Sequence, residues 1–336
     1  MSISTFGDMA STFLTRRHST QLRQDLTRLS TELSTGRKTD LGANTTGGYS
    51  AIAGLEHSLK LMSAHVQATN EARLMADTTQ VALTTINAQA QDLSSGLIAA
   101  RSANNVTLLQ TTALDAEQKF ASIISKLNAG AGGRSLFAGA ATDGPALADA
   151  DTIIAELMTA ISGEVTAVGV SAAIDDWFNT PGGGFETLGY LGADESYGPI
   201  RLGNGETATL PVRANDPEVR NLLSAIAKTA VLAKGALSGD LDQQKSLAEM
   251  SSNALLSAVD DTTMLQARVG TVEARIENAM AHNTAEQHAL ELSYNELTAA
   301  DPFDTAARLE ELYSQLEALY TTTAHLSKLS FTDYMR

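Results

Sequence analysis

The sequence contains no cysteine, which excludes disulfides, thiolate ligands and thiol nucleophiles from this chain. The redox compartment stays open, because an extracellular protein need not use disulfides. Aromatic residues make up only 5% of the chain and tryptophan occurs once. That is low for a compact enzyme and ordinary for long helices packed through Leu, Ala and Val. No uninterrupted apolar run reaches the ~18 residues of a membrane-spanning helix, so membrane insertion is not expected. The first twenty residues lack the charged start and apolar core of a secretory signal peptide, so export would need another route. The net charge is −16, and basic residues never cluster beyond the pairs Arg16-Arg17 and Arg37-Lys38, so no nucleic acid partner is expected.

What the chain does have is leucine at coiled-coil spacing near both ends. Within a helix predicted from Asp301 to about Ser330, Leu309, Leu312, Leu316, Leu319, Thr323, Leu326 and Ser330 alternate spacings of three and four. Leu22, Leu26, Leu29 and Leu33 repeat at four, three and four and offer the matching half. The two termini are therefore expected to meet along an apolar seam. Residues 1–40 carry six basic and four acidic side chains, a net of +2, and residues 301–336 carry three basic and six acidic, a net of −3. The opposite signs agree with pairing, although exposed ion pairs contribute little one by one.

At 336 residues the chain can hold two or three domains. After the first seam, Gly36 reads as a helix stop, and a Gly-, Asn- and Thr-rich loop runs through Gly48. A helix opening near Ser50 carries apolar residues at three and four through Leu97, with a change of phase near Arg73. A second begins near Asn105 and holds a heptad pattern through Leu127; two long antiparallel helices are the simplest reading. From Ser135 to Asp216 the composition shifts: twelve of the 25 glycines, four of the six prolines, the one Trp, and twelve acidic residues against two basic. One helix between Asp151 and Val168 is expected there. A hairpin is expected where Gly203-Asn204-Gly205 separates two short apolar runs. Helical pattern returns at Pro217 and again from about Leu241 to Ala299, where about sixty residues would reach about 90 Å. Asn283 and Glu286 interrupt that second seam, either fixing register or facing water. The expected fold is mainly α, an elongated rod of long antiparallel coiled-coil helices from both ends with a small inserted α+β domain. The expected divisions are 1–40, 41–134, 135–216, 217–300 and 301–336, with the first and last paired.

Recognisable chemistry is missing. His282 and His288 stand six apart and fit no zinc helix motif, and no GxSxG occurs. Gly182-Gly183-Gly184 lacks the lysine of a phosphate loop, and Gly203-Asn204-Gly205 lacks the third glycine of a dinucleotide site, so both read as turns. Asp175-Asp176 and Asp260-Asp261 could share a cation, but neighbours on a helix point apart and solvated charge is the plainer reading. No catalytic, cofactor-binding or metal-ligating residue is assigned, no cofactor is expected, and the chain reads as no enzyme. A ligand-binding insert centred on Trp177 and Phe178, in a cytosolic helical protein, is the alternative of a different class.

Four stretches carry a family likeness. Glu32-Leu33-Ser34-Thr35-Gly36-Arg37-Lys38 resembles the Leu-Ser-Ser-Gly-Lys/Arg turn of the flagellin superfamily, and Gly133-Arg134-Ser135-Leu136-Phe137-Ala138-Gly139 resembles its Gly-Arg-Tyr-Leu-Phe-Ser/Ala-Gly segment. Ala267-Arg268-Val269-Gly270 followed by Arg275-Ile276 is similar to the Val-Gly-x-Arg neighbourhood of the long C-terminal helix. Leu329-Ser330-Phe331-Thr332-Asp333-Tyr334-Met335 is similar to the terminal Leu-Ser-Leu-x-x-Tyr-Leu. The likeness covers about two thirds of the chain and excludes the insert. The chain departs from the pattern at Asn44-Thr45-Thr46, where Asp-Asp-Pro is frequent, and lacks the Ala-Asn-x-x-Pro-Gln ending of filament flagellins. It is thus closest to the hook-associated protein 3 family, the junction between flagellar hook and filament, with filament flagellin as the alternative. The resemblance implies a flagellar, extracellular location, unfolded export through the type III channel with an export chaperone, and assembly into a ring of copies beside hook-associated and flagellin subunits. The assembly seam would be Leu22, Leu26, Leu29, Leu33, Leu309, Leu312, Leu316, Leu319 and Leu326.

Overall fold

The computed structural model describes residues 3–41, 49–103, 105–203 and 205–334, with side chains described at 10, 12–41 and up to 325 at the two ends. Among them the fold is mainly α. Helices α1 (Ile3–Thr35), α2 (Tyr49–Ala103) and α3 (Val106–Leu127) come first, followed by the two-residue strands β1 (Gly130–Ala131) and β2 (Arg134–Ser135). Then come α4 (Ala150–Ala160), α5 (Ala167–Asn179), a π-turn at Phe185–Gly189, and strands β3 (Ile200–Gly203) and β4 (Glu206–Ala208). Helices α6 (Pro217–Ala233), α7 (Leu241–Thr298) and α8 (Pro302–Tyr334) complete the chain. The expected loop at 42–48, with Asn44-Thr45-Thr46, lies outside the described residues. Two compact units form, one of Met1–Leu61 with Ala285–Arg336 and one of Met62–Thr284. The divisions at 61/62 and 284/285 follow packing, whereas sequence pattern placed them at breaks in the helices, 40/41 and 300/301.

Within the Met62–Thr284 unit, α2 runs antiparallel to both α3 and α7. Gln89 donates to Ser122 of α3 at 3.0 Å and Asp92 pairs with Lys119 at 2.5 Å, while Asn87 donates to Thr263 of α7 at 3.0 Å and Arg101 pairs with Glu249 at 2.8 Å. As one number climbs the other falls, so each partner chain direction is reversed. Asn105 starts α3 by accepting from the backbone N–H of Thr107 at 2.9 Å, a side-chain N-cap. Pro217 occupies the first turn of α6, where its missing N–H costs nothing.

Residues 135–216 share one continuous core with these helices. Phe137, Leu147, Ile153, Phe178 and Phe185 belong to the same buried cluster as Phe120, Ile123, Leu223 and Ile226. The single helix expected between Asp151 and Val168 is two helices. Gly163 sits in the break, and Thr166 caps α5 by accepting from the Gly169 N–H at 3.1 Å. Trp177 and Phe178 both lie on α5 and pack edge-on, 4.8 Å between ring centroids, with Phe185 5.3 Å from Phe178 and Tyr190 beyond it. The pair that the ligand-binding alternative rested on is packed aromatic core.

The hairpin forms, Ile200 opposite Ala208 and Arg201 opposite Thr207, with a bulge before Gly203 pairs with Glu206. Its last β3 residue, Gly203, has φ +117°, and a Cβ there would stand 2.8 Å from Asn283 Oδ1 and 2.9 Å from His65 Nδ1. Only glycine permits that approach. Asn283 is buried and donates through Nδ2 to the Leu202 carbonyl at 2.6 Å and to Thr69 Oγ1 at 3.1 Å. Of the two readings left open, Asn283 does not face water; buried, it pins the hairpin onto α2 and α7.

Asp175, expected as a solvated charge, is instead paired across to α6. Its carboxylate accepts from Ser224 Oγ at 2.6 Å and from Lys228 Nζ at 2.7 Å, and the Lys228 side chain is only 6% exposed. Removing one partner of such a pair leaves the other charge buried. Asp175→Ala is expected to cost about 1–3 kcal/mol in urea unfolding, reduced from the fully buried case by the exposure of Asp175 itself. Adding Lys228→Met should recover most of that loss. Equal stability of Asp175→Ala and wild type would show the ammonium to be solvated.

Candidate assembly surface

The candidate site is the pair made by the two chain ends. Helix α1 carries leucine on one face and stops at Gly36, whose φ of +66° and N–H donation to the Glu32 carbonyl at 2.8 Å form a left-handed helix stop. Helix α8 starts on Asp301, which accepts from the N–H groups of Phe303 at 2.9 Å and Asp304 at 3.3 Å, with Pro302 in its first turn. Each helix is thus terminated by local chemistry close to where the seam begins or ends.

The two ends do meet, and they run antiparallel. Arg23 donates through Nη2 to the Tyr320 hydroxyl at 2.6 Å, its guanidinium 5.9 Å from that ring's centroid. At the other end of the pair the connecting segments are stitched by backbone. Arg37 bridges Ala299, the Lys38 N–H donates to the Thr298 carbonyl at 2.8 Å, and the Ala300 N–H donates to the Gly36 carbonyl at 2.9 Å. Arg37 lies over the Tyr294 ring at 5.8 Å, and the Tyr294 hydroxyl donates to Glu56 at 3.2 Å. Burial, and then the Glu56 carboxylate, hold the Tyr294 phenol above its ordinary value, with Arg37 opposing.

Burial along the seam is uneven. Leu22 and Leu29 are 4% exposed, and Leu26 is half-buried. Facing them, Leu309, Leu312, Leu316 and Leu319 are all only half-buried. Thr323 is exposed, and the side chains of Leu326 and Ser330 lie outside the described residues. Leu33 is 41% exposed. In the last turn of α1 the buried position passes to Glu32, whose carboxylate accepts from the Thr39 N–H at 2.9 Å and from Arg28 at 3.3 Å. A carboxylate so held turns the inner face by one residue and leaves Leu33 outside. The contacts of Arg23, Arg37 and Tyr294 escaped the sequence reading because each depends on the register between segments more than two hundred residues apart.

Among the described residues no group of three or more His, Asp and Glu could hold a metal ion, and no helix is long and apolar enough to cross a membrane. The arrangement is a helical one in which the first and last helices pair with each other. Residues 252–335 match the family model for the bacterial flagellin C-terminal helical region. The chain thus carries that region of the flagellins, and with it the likeness to the flagellin superfamily read from the motifs. A crystal structure of Bacillus cereus FlgL aligns with a TM-score of 0.51 at 14% identity, over 72% of this chain and 98% of that one, a likeness of fold. A structure described as a flagellar hook-associated protein from Vibrio parahaemolyticus aligns with a TM-score of 0.48 at 11% identity, over 73% and 95% of the two chains. The search of curated proteins gives no match. The likeness shown is that of residues 252–335 to the flagellin C-terminal region and of the fold to FlgL.

The two buried leucines of α1 carry the pairing. Truncating a near-fully buried leucine costs about 2–4 kcal/mol, so Leu22→Ala with Leu29→Ala is expected to free both ends while leaving the Met62–Thr284 core intact. Limited proteolysis should then cut within α1 and α8 much faster than in wild type, with α3 still resistant. Unchanged cleavage of α1 would mean that these leucines do not hold it.

Proposed function

We propose that this protein is a structural subunit of the bacterial flagellum that forms the hook–filament junction, polymerising through its N- and C-terminal helices. The observation that carries the reading is the half-covered seam: in a single chain Leu309, Leu312, Leu316 and Leu319 each keep part of their apolar surface in water. Such surface is worth about 25 cal/mol per Å² when covered, and neighbouring copies could cover it. The assembly seam is Leu22, Leu26, Leu29, Leu33, Leu309, Leu312, Leu316, Leu319 and Leu326, with Leu33 exposed in the lone chain and available to a neighbour. A two-helix pair is marginal by itself, so the ends fold fully only as the copies come together.

The fold likeness to FlgL supports the junction reading. The flagellin description of the matched C-terminal region supports the second reading, filament flagellin. In either case the partners are further copies of this chain and adjoining flagellar subunits, with an export chaperone before assembly. The location is extracellular, reached through the type III channel. The acidic residues 135–216 would then face outward, where like charge discourages non-specific association.

Circular dichroism is expected to show a gain of helix when isolated subunits assemble. Deleting residues 301–336 should leave a soluble, helical monomer that no longer assembles. A truncated chain that loses all helix, or one that still assembles, would contradict this reading, and long filaments rather than short rings would favour flagellin.

A further inference from the structure

The described charges of the two chain ends are not spent on each other. Among the described residues no ion pair joins α1 to α8: Arg28 pairs with Asp25 and Glu32 on its own helix, and Arg308 with Asp304 on its own. At 100° per residue, Phe13, Arg17, Thr20 and Gln24 lie on the side of α1 away from Leu22 and Leu29, with Arg16 beside them. All of these residues are exposed, Phe13 at 67%. On α8, Glu310 and Glu317 are seven residues apart, so they form one stripe, turned away from Leu309 and Leu316. Both are exposed, and no ion pair to either is found among the described residues. Phe303, 87% exposed, lies on the same side.

A single chain therefore presents a basic outer face with an apolar edge on one terminal helix and an acidic outer face with an apolar edge on the other. We propose that these two outer faces dock on each other between copies, the Arg16-Arg17 face of α1 in one copy against the Glu310–Glu317 face of α8 in the next. The proposal rests on the assembly reading above and deepens it by naming which surfaces meet. Because each copy offers one basic and one acidic face, the contact is head-to-tail and repeats from copy to copy. The leucine seam supplies the apolar surface, while the charges select the neighbour and speed the encounter. Two copies meeting through the same helix would set like charge against like.

Charge reversal tests this. Arg16→Glu with Arg17→Glu makes both outer faces acidic, and Glu310→Lys with Glu317→Lys makes both basic. Each double variant, checked by circular dichroism to keep wild-type monomer helix, is expected to assemble at least tenfold more slowly than wild type at low salt. A variant that loses helix is replaced by its neutral counterpart, Arg16→Gln with Arg17→Gln or Glu310→Gln with Glu317→Gln, with the same expected slowing. An equal mixture of the two reversed variants should recover assembly, since each then meets an opposite face on both sides, and the fourfold variant in one chain should recover it alone. Reversed variants that assemble at the wild-type rate, or a mixture that stays unassembled, would overturn the proposal while leaving the leucine seam standing. Failure of the wild type itself to assemble would remove the underlying reading and this one with it.

Discussion

The structure depends on one contact, the packing of the first helix of the chain against the last. Leu22 and Leu29 are nearly out of water there, yet the leucines that face them remain half wet. An interface so unequal brings two ends together without finishing the burial of either. Its fixed points are polar and local: Gly36 and Asp301 terminate the helices, and the backbone stitch at 36–38 and 298–300 holds their entry points side by side. That combination of set position and incomplete burial is what the proposed assembly rests on.

The Met62–Thr284 unit is built on a different balance. Here long helices share a core with the acidic segment, and large side chains such as Phe120, Phe137, Phe178 and Phe185 are fully buried. Its buried polar groups have assigned work. Asn283 fixes the hairpin, and Lys119, pulled down by desolvation but held above its ordinary value by Asp115 and Asp92, ties α3 to α2. Such groups favour one arrangement over its alternatives where apolar packing alone would tolerate slippage. The chain thus joins a core that is complete within one copy to terminal helices that are not.

Most of the helical framework was legible from residue spacing. The first-turn Pro217 and the stop at Gly36 each carry a local signal that the fold obeys. Less legible was whatever depends on partners distant in sequence. Trp177 and Phe178 carried the ligand-binding alternative, and Phe185 and Tyr190, which no local pattern ties to them, make them core. Asn283 could not be assigned without the Leu202 carbonyl it meets, nor Asp175 without Lys228. Leu33 fits the heptad, but Glu32 displaces it through the Thr39 backbone, a competition that periodicity does not weigh. Outward charge on α1 and α8 was visible in sequence only as a net sign for each end; which side of each helix bears it follows from the pairing.

Amide hydrogen exchange along Leu309–Leu319, compared between the isolated subunit and the assembled state, bears most directly on the claim that the end pair is incomplete in one copy. The account predicts rapid exchange in the isolated chain, well ahead of the helix that holds Phe120, and strong protection after assembly. Protection in the isolated subunit equal to that around Phe120 would contradict it.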